Sequence, residues 1–194
     1  MSDPEEERRA RDLMVEASAL LRRVRKGEVS QRVLELLGAL DHPPALEALG
    51  SRAPEEEPDL KRWLRNLDAF GPPVSGRIVV ACARALLPVL EKDGIAYREA
   101  LAAVTLGEDW LRCPCDAHAR DAQRTHTTAI EAGMRTQSDS AETAALVAAF
   151  AALVPTMPTP SMDVAADAAD VLGAPKVRRL VQDRLIPWAL GEGS

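Results

Sequence analysis

The stretch VSGRIVVACARALLPVLEKDGIAYREALAAVTLGEDWLRCPCDAHARDAQRTHTTAIEAG, Val74 to Gly133, decides how the rest of the chain is read. Its first part sets Ile78, Val79, Cys82, Leu86, Val89 and Leu90 on most sides of a helix. That pattern predicts a central, well-covered helix from Ser75 to about Lys92. Pro88 falls inside it, removes a backbone donor and predicts a kink between Arg84 and Pro88. Asp93-Gly94 lies between two helical patterns and reads as a helix–helix corner. Tyr97 to Arg112 is the next helix, with Leu101, Val104, Leu106 and Trp110 on its stripe and Gly107 as a point that thins or bends it. Cys113-Pro114-Cys115 then places a proline at the first position of a third helix, which runs to about Ala132 and is ended by Gly133.

Working outward, the preceding segments read as short helices. Ser2 or Asp3 caps the first, with Pro4 in its first turn and Glu5, Glu6 and Glu7 facing the positive end of the helix dipole. Leu13, Ala17, Leu20, Leu21 and Val24 follow at helical spacing, and Gly27 ends the run. Ser30 caps Gln31–Leu40, and His42-Pro43-Pro44 stops that helix and starts another through Leu49 to Gly50. Ser51–Pro58, acidic and proline-bounded, reads as a linker. Asp59–Phe70 carries Leu60, Trp63, Leu64 and Leu67 on one face, and Gly71-Pro72-Pro73 breaks it. Beyond the central stretch, Asp139 and Glu142 have the spacing of a capping box for an alanine-rich helix through Val154. Pro155, Pro158 and Pro160 form a rigid loop flanked by Met157 and Met162, which read as packing residues. Helices Ser161–Leu172 and Pro175–Leu190 follow, with Gly173 as the turn between them.

No run alternates apolar and polar residues as a half-buried strand does, and there is no Asn-Gly hairpin signal. The fold expected is all-α, an irregular multi-helix bundle of nine or ten helices. Its organisation reads as an N-terminal helical segment over residues 1–57 and a main helical domain over 58–194, or as a single domain over 1–194. The 194 residues suffice to bury roughly 70% of the unfolded surface without a staple. The chain is 46% hydrophobic and 28% charged, which excludes wholesale disorder. Aromatics are only 3%, so its core favours close packing of small and branched aliphatic side chains.

A net charge of −6 argues against binding a phosphate backbone, which needs clustered cations. The basic group Arg22, Arg23, Arg25 and Lys26 sits where a helix end attracts cations anyway. The acidic surface suits a basic protein partner. Three cysteines, an odd number, make no disulfide framework and point to a reducing compartment. The first residues lack the basic and apolar regions of a signal peptide, and the longest apolar segment, Ala141–Val154, is too short to span a membrane. The expectation is a cytoplasmic protein with no membrane association.

Cys113, Cys115 and His118 are the one cluster of metal-ligand types. In a helix beginning at Pro114, Cys115 and His118 share a face, and His126 lies further along nearly the same line. Zinc takes four ligands in structural sites and three plus water in catalytic ones; Cys82 or Asp116 would be the nearby choices for a fourth. A cysteine at a helix N-terminus can also serve as a reactive thiol. The bland reading of the same residues is a corner cysteine, a buried small hydrophobe and a solvated imidazole. There is no G-x-S-x-G and no glycine-rich phosphate loop. The carboxylate pairs Glu55–Glu57 and Asp167–Asp170 read as solvated surface. Trp63, Trp110 and Trp188 each fall on an apolar stripe and read as core, with Trp188 the one best placed to stand proud.

The run Ala83-Arg84-Ala85-Leu86-Leu87-Pro88, followed by Tyr97-Arg98-Glu99-Ala100-Leu101 and Trp110-Leu111-Arg112, resembles the all-helical immunity proteins of bacterial polymorphic-toxin systems. In those, a helix ending in an aliphatic-Pro pair precedes an Arg-Pro-Arg-Glu-Ala type helix start and a later Trp. Here the acidic, proline-containing corner is shortened to Lys92-Asp93-Gly94, Tyr97-Arg98 replaces the Arg-Pro pair, and the Cys-Pro-Cys corner is not part of the pattern. The resemblance implies a non-enzymatic protein that binds and neutralises a toxin, with no catalytic residue and no cofactor carried over. Two other classes remain open: a small metal- or thiol-dependent enzyme centred on Cys113, Cys115 and His118, and a structural subunit of a larger assembly that buries Trp188.

Overall fold

The structure, a computed structural model, describes residues 4–51, 59–156 and 161–192. The expected caps Ser2 and Asp3, residues 52–58 of the linker, the Glu55–Glu57 pair, Met157, Pro158 and Pro160 lie outside the described residues. Among those described there are ten α-helices, one 3-10 helix and no strand. The chain is all-α, as its patterning predicts. It divides into two compact units: Met1–Pro58 with Ile186–Ser194, and Asp59–Leu185.

The first unit is built from α1 (Pro4–Arg25), α2 (Gln31–Ala39), α3 (Pro43–Ala48) and the end of α10 (Ala174–Ala189). Gly27 ends α1 at φ +74°, and the amides of Gly27 and Glu28 return to the carbonyls of Val24 and Arg23, each at 3.0 Å. This left-handed closure satisfies carbonyls that the helix end leaves open. The Ser30 hydroxyl accepts from the Val33 amide at 3.2 Å and starts α2. Pro43 and Pro44 open α3, where a missing N–H costs nothing. Leu20, Val29, Leu34, Leu37 and Ala45 form the core, and Ile186, Ala189 and Leu190 pack against it. Arg23 also donates to the Leu190 carbonyl at 2.9 Å. These contacts draw the chain's last turn into the first unit, a recruitment that a simple division at residue 57 does not contain.

The second unit holds α4 (Leu60–Asp68), α5 (Pro72–Leu86), the 3-10 helix Leu87–Leu90, α6 (Gly94–Arg112), α7 (Asp116–Gly133), α8 (Asp139–Leu153), α9 (Ser161–Leu172) and α10 as far as Leu185. Several boundaries differ from expectation for identifiable reasons. Pro72 and Pro73 begin α5 instead of merely breaking the chain, since proline fits the first turn. Pro88 ends the α-helix and does not kink it. The Arg84 carbonyl that Pro88 cannot bond is taken by the Leu87 amide, and the chain tightens into the 3-10 turn. The Asp93 carboxylate accepts from the Ala96 amide at 3.2 Å, so α6 starts at Gly94, ahead of Tyr97. Pro114 stays outside α7, whose N-cap is Cys115. α8 is preceded by Ser138; Asp139 is already helical, so the expected capping box with Glu142 is not made.

The best-covered helix is α8, which packs against α5, α6, α7 and α9. Ala144, Ala145, Ala148, Ala149, Ala151 and Ala152 are all fully buried. Small side chains let backbones approach, and two glycines complete the fit. A Cβ on Gly107 would lie 2.5 Å from the Ala151 carbonyl oxygen, and one on Gly133 would lie 2.6 Å from the Ala145 Cβ. Gly107 is therefore a packing glycine, and Gly133, the last residue of α7, packs closely on α8 where the helix ends. The segment Pro72–Leu90 is long and apolar enough to cross a membrane by length and composition, and 67% of it is buried within the molecule, as in a core helix.

Candidate functional site

The Cys113-Pro114-Cys115 corner joins α6 to α7. The residue before a proline is pushed to extended backbone, and Cys113 adopts φ −138°, ψ 86°. Cys115 is also extended, at φ −144°, ψ 158°, and α7 begins immediately after it. His118 lies on the first turn of α7, spaced to reach back over Cys115. The three ligand atoms come within 4.8 Å of one another. Cys115 Sγ is 3.5 Å from His118 Nδ1, and that nitrogen is 3.0 Å from the Cys113 carbonyl oxygen. Cys113 is exposed and the other two are half-buried.

The two thiols are electrostatically unlike. The backbone N–H groups of His118 and Ala117 hold the Cys115 thiol below its ordinary value, with a smaller contribution from the Cys113 thiol. No side-chain cap hydrogen bond of regular geometry forms at this helix start, so the amides act chiefly as oriented dipoles. Cys113 moves the opposite way, raised by its hydrogen bond to Cys115 and by the charge that Cys115 carries. The corner thus presents one thiolate-prone sulfur, one protonated neighbour and an imidazole.

Of the other residues considered for this site, His126 is used elsewhere. Its Nδ1 lies 3.0 Å from the Ala149 carbonyl oxygen, and its ring is 5.7 Å from that of Phe150, tying α7 to α8. Cys82 is fully buried in α5, where desolvation pushes its pKa up to about 12, and it and Asp116 are not among the converging atoms. Trp63 is core at 2% exposure, and the Arg178 guanidinium lies 4.8 Å from the centre of its ring. Trp110 and Trp188 are half-buried. Asp167, grouped with Asp170 as solvated surface, has its pKa raised by partial burial and by the like charges of Asp170 and Asp163.

Two polar arrangements escape sequence reading. Asp68 at the end of α4 accepts the Ser75 hydroxyl at 2.7 Å and also the Ser161 hydroxyl, joining the starts of α5 and α9. Arg84 of α5 and Glu108 of α6 form a two-pronged ion pair, Nε to Oε1 at 2.9 Å and Nη2 to Oε2. No local motif announces either, because the Asp68–Ser161 and Arg84–Glu108 contacts join residues distant in sequence.

A second feature lies on α1. Every residue from Pro4 to Asp12 is exposed, Leu13 is half-buried, Met14 and Val15 are 59% and 65% exposed, and the first fully buried residue is Ala17. A depression of about 440 Å³ runs along this helix, lined by Pro4, Glu5, Arg8, Arg11 and Asp12. It is walled by one helix and encloses nothing. Among the described residues the other large exposed apolar side chains are Ile95 and Met134; Met14 and Val15 are neighbours in sequence. No protein-family model, curated protein or solved structure matches this chain.

Proposed function

We propose that this chain is a non-enzymatic protein-binding module of the immunity-protein kind, whose partner docks on the bare N-terminal half of α1. The observation that carries the reading is that uncovered half-helix. An isolated helix of this length is marginal in water, because nucleation is costly and most helix stability in proteins comes from packing. Among the described residues, the first turns are supported by Glu5, Glu6 and Glu7 at the positive dipole end, a Glu5–Arg9 ion pair at 3.7 Å, and an Arg11 contact to the Glu7 carbonyl at 3.5 Å. Such exposed pairs contribute only about 0.3–0.5 kcal/mol each. A partner that covers Met14 and Val15 would supply the missing packing.

The acidic first turn and the net charge of −6 fit a basic protein, whose approach would be steered by charge and weakened by salt. The resemblance at Ala83–Pro88 and Tyr97–Leu101 narrows the partner to a toxin, and a cytoplasmic setting follows from that reading. The test is co-expression with the protein encoded by the adjacent reading frame. The expected result is co-purification, with relief of any growth inhibition that the neighbour causes. A Met14→Asp, Val15→Asp chain should keep its helicity and lose both effects. An intact chain that neither binds nor neutralises that neighbour overturns the proposal.

A further inference from the structure

We propose that Cys113, Cys115 and His118 form a binding site for a thiophilic closed-shell metal ion, Zn²⁺ or Cu⁺, through two sulfurs and one imidazole nitrogen. This is independent of the protein-binding reading, which makes no use of the corner.

The donor set comes first. Two cysteine sulfurs and an imidazole are soft and borderline ligands that suit zinc and cuprous copper; oxygen-seeking Mg²⁺ and Ca²⁺ find no partner among them. Geometry follows. Zinc holds sulfur at about 2.3 Å and nitrogen at about 2.0–2.1 Å, so tetrahedral angles put a bound sulfur and nitrogen about 3.5 Å apart. Cys115 Sγ and His118 Nδ1 stand at 3.5 Å. The same arithmetic sets two bound sulfurs about 3.8 Å apart. All three ligand atoms already lie within 4.8 Å, and the remaining closure falls to Cys113, an exposed side chain with room to turn.

The frame is rigid where it needs to be. Pro114 fixes the link between the sulfurs, and Cys115 and His118 are held at the N-cap and the third residue of one helix start. Binding through Nδ1 gives up its contact with the Cys113 carbonyl, which at this exposed corner turns to water instead. Each thiol that binds loses its proton to solvent, so loading releases up to two protons per ion and changes no oxidation state. Three protein donors complete a trigonal Cu⁺ site and leave tetrahedral Zn²⁺ one position for water or an incoming ligand.

The experiment uses the full chain, kept reduced. Zn²⁺ and Cu⁺ are each titrated in competition with a chromophoric chelator, and Co²⁺ serves as a spectroscopic stand-in for Zn²⁺. The expected result is one Zn²⁺ or one Cu⁺ per chain, with sulfur-to-cobalt charge-transfer absorption in the Co²⁺ form. Cys115→Ser and His118→Gln should each weaken binding by at least the roughly tenfold that even loss of an outer-shell partner brings. Cys113→Ser with Cys115→Ser should abolish it at unchanged far-UV circular dichroism, since the altered groups are not core. Cys82→Ala should retain the charge-transfer band. Uptake of neither ion at one per chain, a band that survives loss of both corner cysteines, or equal uptake of Mg²⁺ would overturn the assignment.

Discussion

Gly107 of α6 faces the Ala151 carbonyl of α8 so closely that a methyl group in place of its hydrogen would sit 2.5 Å from the oxygen. Backbone cannot yield as the end of a flexible side chain can, so Gly107→Ala forces two helices apart. Overpacking of this kind costs about 1–3 kcal/mol, more than the roughly 1 kcal/mol of helix propensity that alanine gains. Gly94, at the start of α6, has nothing within 4 Å of such a methyl and no positive φ. Gly94→Ala is therefore expected to be neutral or stabilising. Paired urea melts of the two variants test the contrast; equal stability would contradict the α6–α8 packing described.

The Asp68 carboxylate serves two hydroxyls, Ser75 and Ser161, that are 8% and 0% exposed. Removing the shared acceptor strands the Ser161 hydroxyl and leaves Ser75 only its longer bond to the Gly71 carbonyl, 3.4 Å. Asp68→Ala should lower unfolding free energy by about 1–3 kcal/mol, the cost of stranding buried polar groups. Adding Ser161→Ala should recover part of the loss, because it removes the stranded donor. A strictly additive double variant would show that the two groups do not act together.

Three thiols should react in order. Cys115, with its pKa held down by the His118 and Ala117 amides, is alkylated first and keeps reacting at pH values where an ordinary thiol is protonated. Cys113 follows, its pKa raised by its neighbour. Cys82, buried with a pKa of about 12, reacts only as the protein opens. Timed iodoacetamide labelling read by peptide mass spectrometry gives the order, and early modification of Cys82 would contradict it.

His42 in the first unit has its pKa lowered below the usual 6.5, chiefly by burial against smaller raising effects of Glu16 and Glu192. Its buried Nδ1 has no hydrogen-bond partner among the described residues. The folded state therefore binds fewer protons at this residue than the unfolded state. Its contribution to stability is present above pH 6.5 and is lost as pH falls through the depressed folded value. The melting temperature of His42→Asn should fall less steeply than that of the parent below pH 6.5. Parallel slopes would remove the effect.

The all-helical class was legible because helical spacing recurs through every segment and Gly27, Ser30, Gly50 and Gly173 punctuate it with turn chemistry that the structure retains. The hub was not. α8 is made of alanines, whose importance lies in how near they let other backbones come, and a reading weighted by hydrophobicity favours the bulkier α5. Pro72 breaks the chain as expected and also starts α5, while Pro88 and Pro114 depart from expectation because proline's effect depends on whether its missing N–H had a partner, which only neighbouring geometry decides. At the corner, spacing from Cys115 to His118 was visible on a helical wheel, and the structure adds that Cys113 folds back to join them. The exposure of α1 could not be read at all. Leu13, Ala17, Leu20, Leu21 and Val24 look like one core stripe until the structure shows Leu13 only half-buried and full burial starting at Ala17.

The central claim, that the uncovered part of α1 is a docking surface for a protein, is tested most directly by backbone hydrogen exchange. For the chain alone, amides between Glu6 and Glu16 should exchange rapidly while those of α8 remain protected. With the protein from the adjacent reading frame added at saturation, exchange over Glu6–Glu16 should slow strongly and α8 should be unchanged. Binding that leaves the α1 amides as fast as before, or protects another helix instead, would contradict the account.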